Sequence, residues 1–155
     1  MIDVPTLRSW IEALGYEATP EGTTTLRILP RPPDPCAPPK GSAGTPEGAP
    51  PSSAPRSSRA LPPFFIQVSE NWVLLSMLPM LGRGEQGAKD LSRRLLAANR
   101  EMRLAKFALD KNGAVVLCAE LPTESLDASE IADAVRGMTH YARRFTAELA
   151  RPPER

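Results

Sequence analysis

Residues 103–121, RLAKFALDKNGAVVLCAEL, hold two short apolar runs joined by Lys111-Asn112-Gly113, and how they pair decides the fold. An Asn-Gly step between two alternating runs is the strongest short-range signal of a β-hairpin. If Lys111, Asn112 and Gly113 form a three-residue loop, with Gly113 in the left-handed conformation, Phe107 faces Leu117 and Leu109 faces Val115. That register gathers the large apolar side chains on one face. The other face, which includes Leu104, Lys106, Asp110, Val116, Cys118 and Glu120, is mixed and partly wet. A two-residue loop on Asn112-Gly113 would instead pair Phe107 with Cys118 and Asp110 with Val115, mixing polar with apolar side chains, so the first register is preferred.

Such a ribbon needs a cover, and the chain offers amphipathic helices on both sides of it. The clearest spans 127–150, where Ile131, Val135, Met138, Ala142, Phe145 and Leu149 recur at alternating spacings of four and three. Asp127 with Glu130 resembles a capping box, and Pro152-Pro153 closes the helix. A second helix is expected over 88–100, with Ala88, Leu91, Leu95 and Ala98 as its stripe. A third is expected over 5–14, with Pro5 in its first turn, Val4, Leu7, Ile11 and Leu14 at helical spacing and Gly15 at its end.

Another hairpin is expected from 64–68 and 72–78 around Ser69-Glu70-Asn71. Its second strand is apolar both ways: Trp72, Leu74 and Leu78 point to one side, Val73, Leu75 and Met77 to the other. That pattern predicts a central strand covered on both faces, with a second subunit as a candidate for the outer cover. Residues 16–18 and 23–29, split by Pro20-Glu21-Gly22, read as a strand pair or as one strand with a preceding turn. The order α-β-(linker)-ββ-α-ββ-α predicts an α+β domain, an antiparallel sheet of about five strands with helices packed on it.

Composition divides the chain into 1–30, the N-terminal helix and strand; 31–62, an insertion; and 63–151, the main α+β part of the same domain. The insertion is Pro, Gly, Ser and Ala with scattered charges, too poor in apolar surface to offset the entropy of ordering, and is expected to be a disordered linker of polyproline character. Across the whole chain, 19 basic residues nearly balance 18 acidic ones, which argues against affinity gained by neutralising a phosphate backbone. No nucleic-acid or membrane partner is therefore expected. The longest apolar window, 73–81, falls far short of the roughly 20 residues that span a bilayer. MIDVPTLRSW lacks the basic start and apolar core of a secretory signal, so a cytoplasmic location is expected. Cys36 and Cys118 have neither a disulfide nor a metal-ligand spacing.

The sharpest chemical motif is Gly82-Arg83-Gly84-Glu85-Gln86-Gly87, a GxGxxG after a strand and before a helix, with Asp110 further on. In a dinucleotide site such glycines bring the backbone to the pyrophosphate. Here Pro79, Met80 and Leu81 intervene after the strand, and Asp110 runs into a hairpin instead of another βα unit. A Gly-rich loop is therefore preferred, with nucleotide binding at Gly82–Gly87 as the alternative. His140 falls off the apolar stripe of its helix without a recognisable catalytic partner. Cys118 reads as a small strand residue. The acidic run from Glu120 to Asp133 reads as turn, cap and solvated face, and Arg93, Arg94, Arg100, Arg103 and Lys106 as a solvated face with an anionic partner as the lesser reading. No catalytic residue, cofactor or metal is expected.

Residues 64–150 resemble the YbjN-type family of bacterial sensory transduction regulators, whose fold is similar to that of type III secretion chaperones. The marks are Trp72 opening a strand that ends in Leu78-Pro79, a helix closing on Asn99, Lys106-Phe107 with Asp110 before a turn, and Glu120-Leu121-Pro122 before the last helix. The insertion before Phe64 departs from that pattern. The resemblance implies a small, often dimeric, non-enzymatic binding module. The expected function is accordingly a chaperone-like or regulatory protein that holds a segment of a partner on its sheet or sheet edge. Phe64, Phe65, Trp72 and Leu74 are the candidate contact residues, although each also suits core packing.

Overall fold

The computed structural model describes residues 2–30, 61, 63–81 and 90–149, which form three helices and a six-stranded antiparallel sheet. In chain order these are α1 (Val4–Ala13), β1 (Tyr16–Pro20), β2 (Thr25–Pro30), β3 (Phe64–Val68), β4 (Trp72–Met77), α2 (Leu91–Glu101), β5 (Ala105–Leu109), β6 (Val115–Pro122) and α3 (Ala128–Leu149). The α+β class and element order are as expected, with six strands in place of about five. The extra strand comes from 16–30, which forms the strand pair β1–β2 around Gly22 at φ +83.

The sheet order is β1-β2-β3-β4-β6-β5. The β5–β6 hairpin closes in the three-residue register: Phe107 lies opposite Leu117 and Leu109 opposite Val115, with Gly113 at φ +77. Asp110 holds the loop, its carboxylate accepting from the backbone N–H groups of Ala114 and Asn112, each at 2.8 Å. The Ala114 bond in particular keeps the Asp110 carboxyl below the usual carboxylate range. Leu109 departs from expectation: at the end of its strand, on the edge of the sheet, it is 56% exposed although Val115 opposite it is buried.

One face of the sheet is buried strand by strand. Ala18, Ile28, Phe64, Met77, Leu117 and Phe107 form one continuous row across all six strands, and all are buried. Leu26, Ile66, Leu75, Ala119 and Ala105 form the next. Against these rows α1 presents Leu7 and Ile11, α2 presents Leu91, Leu95 and Ala98, and α3 presents Ile131, Val135, Met138, Ala142 and Phe145. Phe107 and Phe145 meet edge to face at 5.9 Å, joining sheet to helix by the geometry aromatic quadrupoles favour.

Side chains cap the starts of α1 and α3, while Ala88 and Pro152-Pro153, expected at the start of α2 and the close of α3, lie outside the described residues. Asp3 caps α1 by accepting from the Thr6 N–H at 2.8 Å. At α3 the capping box forms in full, the Asp127 carboxylate accepting from the Glu130 N–H at 2.9 Å and the Glu130 carboxylate from the Asp127 N–H at 3.2 Å. The Ser129 hydroxyl also donates to Asp127, and this bond is the main cause of its lowered pKa.

Ile28 on β2 pairs directly with Phe64 on β3, so the fold asks only for a tight turn between these strands. The expected linker at 31–62 lies outside the described residues apart from Leu61. Replacing 31–60 with a short Gly-containing turn is expected to leave the melting temperature of the domain unchanged or slightly raised, since loop-closure entropy falls slowly with loop length. Loss of cooperative melting in that variant would show that the insertion contributes to the core.

Candidate functional site

Side-chain alternation that buries one face of the sheet leaves the other without a layer among the described residues. The expected two-sided cover of β4 is therefore half met. Val73, Leu75 and Met77 are buried under the helices, while Trp72 is 51% exposed and Leu74, Ser76 and Leu78 are half-buried by neighbouring strands.

The registers show how this outer face is built. Arg27, Phe65, Ser76, Cys118 and Lys106 form one row from β2 to β5. Thr25, Gln67, Leu74 and Glu120 form the next, and Trp72 stands opposite Pro122 beyond it. Phe65, Leu74, Trp72, Pro122, Cys118 and Val116 thus make an apolar band over the central strands, with charged residues toward the edges and Glu120 inside it. Three of the expected contact residues, Phe65, Trp72 and Leu74, come together here. Phe64 does not join them: it faces the core, 2% exposed, edge to face with Tyr16 at 5.5 Å.

Trp72 opens β4 on a fixed backbone. The Ser69 hydroxyl donates to the Trp72 carbonyl at 2.8 Å and accepts from its N–H at 3.2 Å. Close by, Thr123 binds the β3–β4 turn to the end of β6 through its N–H to the Asn71 carbonyl and its hydroxyl to the Glu70 carbonyl, both at 2.9 Å. The exposed indole therefore projects from a braced corner, which lowers the entropy lost when it is covered.

The sheet edges differ. On β5, the Asn99 side chain from α2 accepts from the Phe107 N–H at 2.8 Å and donates to the Phe107 carbonyl at 3.1 Å, in the place a seventh strand would take. The next outward N–H, of Ala105, is taken by the Arg103 carbonyl at 2.7 Å across a turn that holds Leu104 at φ +66 with its side chain half exposed. An L-residue in that region is strained. At the opposite edge β1 ends in Pro20, which has no N–H to offer.

Asn99 thus acts as a plug that spares β5 from edge pairing. Asn99→Ala is expected to lower stability by about 2 kcal/mol, the cost of leaving partly buried backbone groups unpaired. It should also produce concentration-dependent self-association in light scattering. An unchanged denaturation midpoint together with a monodisperse sample would remove this role.

Sequence reasoning did not find this lock, because eight residues separate Asn99 from Phe107 and only the packing of α2 on β5 brings them together. Its one trace was the family mark of a helix ending on Asn99.

The other candidates fall away from the face. His140 is exposed on α3 with its ring edge-on to Tyr141 at 5.5 Å. The Cys118 thiol lies in the band, where burial first and the Glu120 charge second push its pKa up, so it stays protonated and weakly nucleophilic at neutral pH. Gly82–Gly87 lies outside the described residues. A separate cavity of about 210 Å³ between α2 and α3 is lined by Arg94, Ala97, Ala98, Glu101, Phe145 and Leu149, with Glu101 paired to Arg144.

Residues 58–152 match the family model described as T3SS (YopN, CesT) and YbjN peptide-binding chaperone 1. Among solved structures, the chain is similar to YbjN from E. coli, with a TM-score of 0.63 at 16% identity, covering 95% of this chain and 90% of that one. It is also similar to a chain of the heterodimeric ExoU-SpcU complex from the type III secretion system of Pseudomonas aeruginosa, with a TM-score of 0.51 at 19% identity and coverages of 93% and 94%. A chain of the HopA1-SchA chaperone-effector complex gives a TM-score of 0.54 at 12% identity, with coverages of 95% and 99%. These identities speak for the fold alone. No curated protein matches the sequence.

Proposed function

We propose, for a chain that belongs to the T3SS (YopN, CesT) and YbjN peptide-binding chaperone 1 family, that it is a non-enzymatic module holding a segment of another protein on the outer face of its sheet. The observation that carries this reading is the apolar band over β3, β4 and β6, with Trp72 half exposed at its end. Water against such a band is released when a partner's side chains cover it, and a large aromatic on a braced backbone makes a strong anchor. Phe65, Trp72 and Leu74 are the contact residues of this proposal. Phe64 supports them from beneath as part of the core.

Docking on the face is favoured over strand addition at β5, whose edge groups Asn99 and Arg103 already occupy. The ExoU-SpcU heterodimer and the HopA1-SchA chaperone-effector complex among similar structures support a protein partner. We place this activity in the cytoplasm, where a free thiol such as that of Cys118 stays reduced. The nucleotide alternative draws no support from the family.

A photo-crosslinking residue at position 74, introduced into the full chain in its parent cell, tests the reading. Crosslinks to one recurrent protein segment are expected, with few from the same probe at position 136 on the exposed side of α3. Equal crosslinking from both positions would place the contact elsewhere.

A further inference from the structure

Glu120 sets one carboxylate inside the apolar band. It stands on β6 opposite Leu74, with Cys118 and Pro122 two residues away on its own strand and Trp72 and Ser76 on the diagonals. Cross-strand and diagonal positions of this kind are within side-chain reach. Glu120 is exposed and makes no ion pair among the described residues.

The cation placed to neutralise it is turned away. Lys106 lies opposite Cys118 on β5, diagonal to Glu120, but its Nζ reaches over the sheet edge and donates to the carbonyls of Asn99 at 2.8 Å and Met102 at 2.5 Å. These carbonyls close the C-terminal end of α2, where the helix dipole favours a positive charge. Arg27, three strands away in the sheet, is directed toward Glu21 at 3.9 Å. A negative charge is therefore left among Leu74, Trp72 and a half-buried thiol.

We propose that the segment held on the outer face is an extended stretch carrying a lysine or arginine between large apolar residues, the base meeting Glu120 while the apolar side chains cover Trp72, Leu74 and Phe65. This rests on the reading of that face as the docking surface. Any segment lying on the band strips water from Glu120, and a carboxylate desolvated without a cation is disfavoured. A base converts that loss into a charge-assisted hydrogen bond. Glu120 therefore selects against acidic and neutral segments as much as it selects for a basic one.

The experiment uses the full chain and labelled twelve-residue extended peptides, alike except for Lys, Gln or Glu at the centre of an alternating apolar sequence, with binding read by fluorescence anisotropy. The lysine peptide is expected to bind about tenfold more tightly than the glutamate peptide at low salt, a difference that narrows as salt rises. Glu120→Gln should remove most of that preference and Glu120→Lys should reverse it, while Glu17→Gln, at the edge of the same face, should preserve it. An unchanged preference in Glu120→Gln, or none in the wild-type chain, overturns the inference while leaving the docking face in place. If no peptide binds, or if a Trp72-dependent dimer of the free chain excludes them all, the docking reading fails together with this one.

Discussion

Substituting Leu75 by alanine is expected to cost about 3 kcal/mol and to lower the melting temperature by about 12 °C. Leu75 is fully buried in the centre of β4, between Ile66 on β3 and Ala119 on β6. Its neighbours belong to a hydrogen-bonded sheet under packed helices and cannot close around the lost atoms, so the transfer loss is joined by a cavity. Chemical denaturation should show a lower midpoint with an unchanged slope, since the surface exposed on unfolding is nearly the same. A shift under 1 kcal/mol would mean that the helices do not cover β4 as described.

On the opposite face of the same strand, a serine replacing Trp72, combined with Leu74→Ser, is expected to lower the melting temperature by at most about 5 °C, less than half the effect at Leu75, since Trp72 is half exposed and Leu74 only half-buried. Partner affinity should fall about 100-fold, because a central aromatic anchor and its neighbour typically carry 2 kcal/mol or more of binding energy. The opposite outcomes at positions 72 and 75 follow from strand alternation: the even positions of β4 face outward and the odd ones face the core. Melting and peptide binding measured on the same preparations separate the two effects. Affinity unchanged in the double variant would move the binding site off this face, and a collapse in stability would make the band a second core surface.

The contrast between neighbours also marks how far one-dimensional reading reaches. The period of two in β4 was visible in Trp72, Leu74 and Leu78 against Val73, Leu75 and Met77, but which set would be covered was not. A strand apolar on both sides has the same sequence whether its second face meets a helix layer, another subunit or a transient partner. Leu109 departs for a related reason. Its alternation assigns it to the core face, but it ends the edge strand of the sheet, and a pattern of alternation does not record how far the cover over that edge extends. Of the four expected contact residues, Phe64 lies on the core face and Phe65 on the outer one, a difference set by the pairing of β3 with β2 and β4.

Local sequence alone determined the β5–β6 register, because of the two loops that Asn112-Gly113 allows only the three-residue one sets Phe107 opposite Leu117 and keeps the large apolar side chains on one face. It likewise determined the α3 capping box and the three apolar helix stripes, each of which depends on residues within a turn or two of one another. Tertiary structure decided what depends on distant segments: the joining of β1–β2 to Phe64 across the insertion, the closing of the β5 edge by Asn99, the diversion of Lys106 from Glu120, and the absence of a described layer over Trp72. Those outcomes are set by which surfaces meet in three dimensions, and a periodic pattern records only that a surface is apolar, not what lies against it.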